Sequence, residues 1–384
     1  MAAFEKGEFL HRIGRTKARM ADAGIDALLI INPSNMYYLT GYAGSSAYVP
    51  QMAVLRADQD EPSIILRRQD VPCALHTVFM DRERILGYPE DYIGSPDKDG
   101  FDAVIDKLRE WGLDKRSVGV EKGSPHFSAS AWEKFRTRLP DARFMDSTGL
   151  VTWLRIVKSA REIGYMKQAA RIADLAMRAG IDAIAPGVRE CDVAARIMAA
   201  QCAGTAEFGG DVPVPPAMPT GAKTSAPHLS WSEEPYKPGT PTNIELAGFR
   251  HRYAGALSRT IHLGPPPRKL RDLHAATLAG METAFDAVRP GARCEDVEAA
   301  FRAETTKHGF VKDSRIGYSI GIDWLEGSAS LRPGDRTVLE PNMTFHMMLG
   351  MWQDGWGYVL SETFRVTERG SESFATLPRE LFVK

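Results

Sequence analysis

The sequence has few cysteines, no long apolar run and no excess of charge of either sign. Its four cysteines are far apart and form no C-x-x-C pair, which argues against a disulfide scaffold and a thiolate zinc site. The 48 basic and 49 acidic side chains nearly cancel, so no nucleic-acid partner is expected. Without an 18-residue apolar stretch or an apolar signal-peptide core, we expect a cytoplasmic protein that does not contact a membrane.

What is present is typical of a globular chain with more than one domain. The 384 residues are 43% hydrophobic and 25% charged, which allows two or three domains. The first part alternates helix and strand patterns, and this alternation indicates an α/β domain. We predict one domain over 1–155 and a second over 156–384, which a helix over 159–185 opens. Further helices are predicted at 6–24, 101–111 and 128–138, and strands at 27–31, 52–55, 63–66 and 117–120.

The second domain contains an internal repeat. The pattern Asp-Ala-x-x-Pro-Gly at 182–187 recurs at 286–291, and Asp-Val-x-Ala at 192–195 recurs at 296–299. Each copy reads as a helix, a Pro-Gly turn and a second helix that begins with acidic residues. Chance similarity of alanine-rich helices is the alternative, but the order of the matches favours two related halves with a cleft between them.

Three segments of this domain carry candidate chemistry. His228 follows a proline in a polar loop, and a histidine is the ordinary acid/base near neutral pH. Glu245 lies on the first of two predicted strands joined by a basic turn within 243–264. Glu362 lies in a strand-like segment near the end of the chain.

These segments resemble, in order and over the whole chain, the creatinase, aminopeptidase P and prolidase family. The motifs that carry the resemblance are NPSNMYYLTGY, KSAREIGYMKQAARIAD, PGARCEDVEAA, LRPGDRTVLEPNMTF and SETFRVTERG. The resemblance implies an α/β chain of two domains, with a creatinase-like N-terminal domain and a pseudo-symmetric pita-bread catalytic domain. It also implies a homodimer.

The metallopeptidases of this family hold two metal ions with two Asp, one His and two Glu. Those positions correspond here to Glu245, Ala256, Tyr318, Met348 and Ser361. Alanine and methionine cannot complete the set of carboxylate and imidazole ligands that divalent transition metals need. The resemblance therefore implies no metal and no other cofactor, and it disfavours peptidase action on Xaa-Pro bonds.

Within the family, the motifs IELAGFRHRYAGALSRTIHLG, APHLSW, GYSIGIDW and VLSETFRVT are most similar to the metal-free ectoine hydrolase branch. Such an enzyme opens the cyclic amidine of ectoine to N-acetyl-diaminobutyrate, with hydroxyectoine as an open alternative substrate. The amidinium carbon is already electrophilic, so a carboxylate and an acid/base suffice. The alternatives are a creatinase-like amidinohydrolase and a catalytically dead module that uses the peptidase fold for binding.

This reading assigns a role to each candidate residue. Glu245 and Glu362 hold the amidinium, and His228 manages the protons. The predicted contacts with this small zwitterionic substrate are Tyr318, Trp324, Ser361, Tyr42 and Tyr48, the last two through the segment that often reaches a neighbouring subunit in this family. Arg259 is predicted to be structural. His251, His262 and His346 are predicted to be structural or to lie at the surface.

Overall fold

The computed structural model describes residues 3–384, which form two compact units that meet at Arg155 and Ile156. In the first unit, Asn32 caps the short helix α2 by accepting hydrogen bonds from the backbone N–H groups of Ser34 and Asn35. Its helices and strands are α1 (Lys6–Asp22), β1 (Ala27–Ile30), α2 (Pro33–Thr40), β2 (Met52–Arg56), β3 (Ser63–Arg67), α3 (Val71–Thr77), β4 (Ile85–Tyr88), α4 (Gly100–Glu110), β5 (Ser117–Val120), α5 (Ala129–Arg138) and β6 (Arg143–Asp146).

The sheet of the first unit is mixed, with the strand order β4-β3-β2-β1-β5-β6. Strand β1 pairs parallel with β5 and antiparallel with β2. The apolar run that ends at Ile30 is buried on both faces, as expected of a central strand. The predicted α/β character of this unit is confirmed.

The second unit begins with a long helix whose start is fixed by a capping box between Ser159 and Glu162. Its helices are α6 (Ala160–Ala183), α7 (Glu190–Ala203), α8 (Arg268–Ala287) and α9 (Cys294–Lys307). Its strands are β7 (Pro241–Arg250), β8 (Tyr253–His262), β9 (Gly317–Ser319), β10 (Ser330–Leu331), β11 (Thr344–Met348), β12 (Met351–Gln353), β13 (Trp356–Tyr358), β14 (Ser361–Val366), β15 (Ser371–Ser373) and β16 (Phe382–Val383).

The main sheet of this unit runs β10-β9-β11-β14-β8-β16, with β7 paired to β8 and β15 paired to β14. Helix α6 lies directly on the β7–β8 hairpin. A Cβ atom at Gly248 would stand 2.0 Å from the Ala169 carbonyl oxygen, and one at Gly255 would stand 2.6 Å from the Ala170 nitrogen. Both glycines are therefore required by the close approach of helix and sheet.

The internal repeat corresponds to two equivalent substructures. Helices α6 and α7 are joined through a turn at Gly187 (φ 84°), and α8 and α9 through a turn at Gly291 (φ 86°). The Gly187 N–H donates to the Tyr236 carbonyl and the Gly291 N–H to the Leu339 carbonyl, both at 3.0 Å. Each helix pair has its own apolar core, one against β7 and β8 and one against β11 and β14. The prediction of two related halves is thus confirmed in this unit.

The predicted elements of the first part and the hairpin within 243–264 are present, with ends that differ by a few residues. Among residues 3–384, none of the helices is both long enough and apolar enough to cross a membrane.

Candidate active site

The β7–β8 hairpin carries Glu245 and determines which residues share its face. The turn residues His251 and Arg252 have φ angles of 48° and 68°, as a tight two-residue hairpin requires. Glu245 lies opposite Ser258 of β8, and Ser258 lies opposite Ser361 of β14. Because directly opposed residues point to the same side of a sheet, these three side chains share one face.

The same face continues onto β11 and β9. Met348 lies opposite Ser361, and Tyr318 lies opposite His346. Side chains two residues apart on a strand point the same way, so His346 and Met348 belong together. We call this surface the Glu245 face; its residues are Glu245, Ser258, Tyr318, His346, Met348 and Ser361.

A chain of hydrogen bonds crosses the Glu245 face. Trp324 Nε1 donates to Tyr318 Oη at 3.1 Å, Tyr318 Oη lies 3.1 Å from His346 Nδ1, and His346 Nε2 lies 2.8 Å from Ser361 Oγ. Burial lowers the pKa of His346 to about 3, so its imidazole is neutral at pH 7. Three predicted substrate-binding residues, Tyr318, Trp324 and Ser361, are therefore connected to one another through His346.

Glu245 lines a small cavity of about 10 Å³, roughly the space of one water molecule. Burial raises the pKa of Glu245 to about 7, and the positive charge of Lys312 opposes this rise. Among residues 3–384, none donates a hydrogen bond to its carboxylate. Glu245 is thus a desolvated acid that is available to a cationic partner. The other lining residues are Ala217, Pro219, Pro227, Asn243, Trp352 and Val359.

Lys312 lies against the ring of Trp352. The sequence did not predict a functional role for this residue. Its ammonium donates to the Gly350 carbonyl at 2.6 Å and to Ser314 Oγ at 2.9 Å, and it lies 4.9 Å from the centre of the Trp352 ring. Burial lowers the pKa of Lys312 to about 8. No motif marked this residue, because a lysine in a polar loop reads as exposed.

Glu362 does not lie on the Glu245 face. It follows Ser361 on β14, so its side chain points to the opposite side of the sheet. There its Oε1 accepts from Arg259 at 2.8 Å and lies 3.3 Å from Arg379 Nε. Burial raises the pKa of Glu362, and both guanidinium groups oppose the rise. The predicted arrangement in which Glu245 and Glu362 hold one amidinium between them is therefore not what the structure shows.

Arg259 has the structural role that was predicted. It binds Glu362 and donates to the backbone carbonyls of Ser258, Ser361, Leu377 and Pro378 at 2.8–2.9 Å. It thereby joins β8, β14 and the segment that leads to β16.

The predicted acid/base His228 is exposed, in the loop between α7 and β7. Its neighbour Pro227 lines the cavity of Glu245, and the Leu229 carbonyl accepts a hydrogen bond from the Met218 N–H at 2.9 Å. The loop is thus attached to the unit on both sides of His228, while the imidazole itself faces solvent.

The two predicted tyrosines of the first unit have different environments. Tyr42 is buried, and its hydroxyl lies 3.1 Å from Ser46 Oγ. Tyr48 is 75% exposed, and its hydroxyl accepts a hydrogen bond from Arg67 at 2.9 Å. Because its ring is packed inside the first unit, Tyr42 is not available to a ligand without rearrangement, whereas Tyr48 is accessible.

The side chains at the positions that the family resemblance assigns to metal ligands do not fit a two-metal centre. Glu245, Ala256, Tyr318, Met348 and Ser361 provide one carboxylate, one methyl group, one phenol, one thioether and one hydroxyl. Burial raises the pKa of the Tyr318 phenol, which keeps it neutral. Within the described part of the chain, no group of three or more His, Cys, Asp or Glu side chains could hold a metal ion. Divalent transition metals need more such ligands converging on one point.

Comparison with known proteins assigns both units. Residues 12–157 match the family model described as the creatinase/prolidase N-terminal domain, and residues 164–368 match metallopeptidase family M24. These matches confirm the family resemblance and the two-domain α/β fold.

Relatives of similar length are found among curated proteins. A protein of Sinorhizobium fredii described as an uncharacterized hydrolase/peptidase is 48% identical over 382 residues, covering 99% of this chain and 97% of its own. Ectoine hydrolase of Halomonas elongata is 39% identical over 393 residues, covering 99% and 98%. Among solved structures, an Xaa-Pro dipeptidase from Bacillus anthracis superimposes with a TM-score of 0.84 at 23% identity, covering 98% of this chain and all of that one. This last likeness concerns the fold alone.

Proposed function

The chain belongs to metallopeptidase family M24, and from this premise we propose that it is a metal-independent hydrolase that opens the cyclic amidine ring of ectoine to N-acetyl-diaminobutyrate. The observation that carries the proposal is a desolvated Glu245 carboxylate in a cavity whose surrounding residues do not fit two metals. The 39% identity to an ectoine hydrolase over nearly the whole length of both chains supports the same substrate class.

The chemistry needs no Lewis acid. Water adds to the amidinium carbon, one ring C–N bond then breaks, and the leaving nitrogen takes a proton. Because the broken bond is part of a ring, the single product carries both an amide and an amine. Glu245 faces the N–H groups of the amidinium. Burial raises the pKa of Glu245 to about 7, and a bound cation favours its ionised form because opposite charges attract. Desolvation of this kind strengthens the attraction between the carboxylate and the substrate.

Proton transfer is assigned to His228. The support is the position of its neighbour Pro227 at the cavity, which brings the backbone of this loop to the site. In this proposal the imidazole turns from solvent towards the bound substrate. It takes a proton from the attacking water and returns it to the leaving nitrogen.

The roles proposed for the remaining predicted residues follow from where their side chains lie. Tyr318 is proposed to contact the substrate. Its hydroxyl is held in place by hydrogen bonds with Trp324 and His346, and His346 is in turn hydrogen-bonded to Ser361. Glu362 is proposed to be a positioning residue, since its carboxylate is bound by Arg259. Tyr48 stays a candidate substrate contact because it is exposed, in contrast to Tyr42.

The test is product analysis by NMR after separate incubation with ectoine and creatine, with Glu245→Gln as the matched inactive control. We expect acetylated diaminobutyrate from ectoine and no change in creatine. Urea and sarcosine from creatine would instead indicate a creatinase-like amidinohydrolase. Binding of ectoine without turnover would indicate a module that has kept the fold and lost the chemistry.

A further inference from the structure

Lys312 is a buried cation without a carboxylate at ion-pair distance among residues 3–384. It is 4% exposed, and its two hydrogen bonds go to neutral oxygens, the Gly350 carbonyl and Ser314 Oγ. Buried ammonium groups are ordinarily paired with an anion, since desolvation of an unpaired charge is costly. Its position thus leaves an uncompensated positive charge beside the candidate site.

The charges that act on Lys312 are few. The positive charge of Arg302 lowers its pKa, whereas Asp313 and Glu245 raise it. Asp313 is exposed to solvent, so it compensates the buried ammonium poorly. The remaining anion, Glu245, lies on the cavity that Trp352 also lines, and Lys312 lies 4.9 Å from the centre of that indole ring.

The cavity is therefore lined by the Glu245 carboxylate and by the Trp352 indole. The Lys312 ammonium does not line the cavity itself but lies against that indole. A simple cation would compensate Glu245 and leave Lys312 uncompensated. A ligand with a cationic part and an anionic part would compensate both, because its carboxylate would lie in the positive potential of Lys312.

We propose that Lys312 is a specificity-determining residue, which selects a substrate with a carboxylate beside its amidinium over a simple amidinium cation. This inference rests on the proposed function, because it concerns ligands of the same cavity. Lys312 acts in two ways: its charge attracts the carboxylate, and its bond to the Gly350 carbonyl holds the β11–β12 turn that positions Trp352.

The test compares binding of ectoine with binding of 2-methyl-1,4,5,6-tetrahydropyrimidine, which has the same ring without the carboxylate. We expect the wild-type protein to bind ectoine at least about tenfold more tightly, a difference of about 1.4 kcal/mol. Lys312→Met should reduce this ratio about tenfold, and Lys312→Arg should keep most of it. Ser314→Ala, which removes a partner of Lys312 but not its charge, is the matched control, and we expect a change below about twofold.

Lys312→Gln replaces the Met variant if that variant fails to fold, which thermal unfolding will show. An unchanged ratio in a folded Lys312→Met or Lys312→Gln protein overturns the inference while leaving ectoine hydrolysis intact. If the wild-type protein binds neither compound, the proposed function fails instead.

The charge of Lys312 is tested separately by infrared titration of the Glu245 carboxylate. The Glu245 band is identified by its loss in the Glu245→Gln variant. We expect a higher midpoint in the Lys312 variant, because the positive charge of Lys312 lowers the pKa of Glu245, and an unchanged midpoint overturns the inference.

Discussion

Replacing Glu362 by glutamine separates a structural role of this carboxylate from a catalytic one. Its ion pair with Arg259 is almost completely buried, with side-chain exposures of 1% and 0%. Glutamine keeps the shape and an acceptor oxygen but leaves the guanidinium groups of Arg259 and Arg379 without their negative partner. Removal of one member of a buried pair costs about 3–5 kcal/mol. For a unit of this size, that loss lowers the unfolding temperature by roughly 6–20 °C.

The assay is urea unfolding followed by tryptophan fluorescence, together with turnover of the folded protein below the unfolding transition. We expect Glu362→Gln to lose stability and to keep a turnover number within about tenfold of the wild type. Glu372→Gln is the control, because Glu372, at 35% exposure, pairs with Lys167 of helix α6 and with Arg365 of the neighbouring strand β14. Such an exposed pair contributes at most about 1 kcal/mol.

The result that would refute the reasoning is a Glu362→Gln protein of wild-type stability whose turnover has fallen by more than about 10², the usual loss of an acid/base or nucleophile. Glu362 would then be catalytic, as its sequence context suggested. A double-mutant cycle with Arg259→Met adds a second criterion, since paired residues give non-additive losses of stability.

Further predictions concern the proposed chemistry and its surroundings. His228→Ala should lower turnover at least about 10²-fold and change substrate affinity less than about tenfold; retention of more than about a tenth of wild-type turnover would exclude the acid/base role. Elemental analysis of active protein should find no stoichiometric metal, because Ala256 and Met348 stand where the family resemblance places metal ligands, and chelators should leave activity unchanged; one or two bound metals with chelator-sensitive turnover would contradict this. Burial raises the pKa of Glu245 to about 7, so between about pH 4.5 and pH 7 this group ionises more readily in the unfolded state, and the free energy of unfolding falls as the pH rises. Glu245→Gln should make this fall smaller. An unchanged pH profile would contradict the burial of Glu245. Sedimentation should give a homodimer; a monomer at micromolar concentration would contradict the family-based expectation.

Much of the fold could be predicted because the signals are local. The Pro-Gly turns with Gly187 and Gly291, the capping residue Ser159 and the basic hairpin turn each act within a few residues of the chain. The family motifs then supplied the order of the elements in the second unit.

The candidate site was harder to predict, since it depends on strand register and long-range contacts. His346 is predicted from the sequence to be structural or at the surface, whereas its spacing of two from Met348 places both side chains on the Glu245 face. Lys312 reads as a surface loop residue, and its burial follows from packing against Gly350 and Trp352, some 40 positions later. The strand that carries Glu362 could be predicted, but a local motif does not reveal which face of the sheet its side chain takes.

The alternation along β14 has an evolutionary consequence. Ser361 and Glu362 are adjacent, yet one belongs to the Glu245 face and the other to the supporting side with Arg259. Exchanging the two residue types, as Ser361→Glu with Glu362→Ser, conserves composition and local charge but transfers a carboxylate from one side of the sheet to the other. Two chains of this fold with the same number of acidic residues in this strand can thus differ in whether the acid meets a ligand or an arginine. Divergence within the family is therefore open to steps that an overall count of acidic residues does not register.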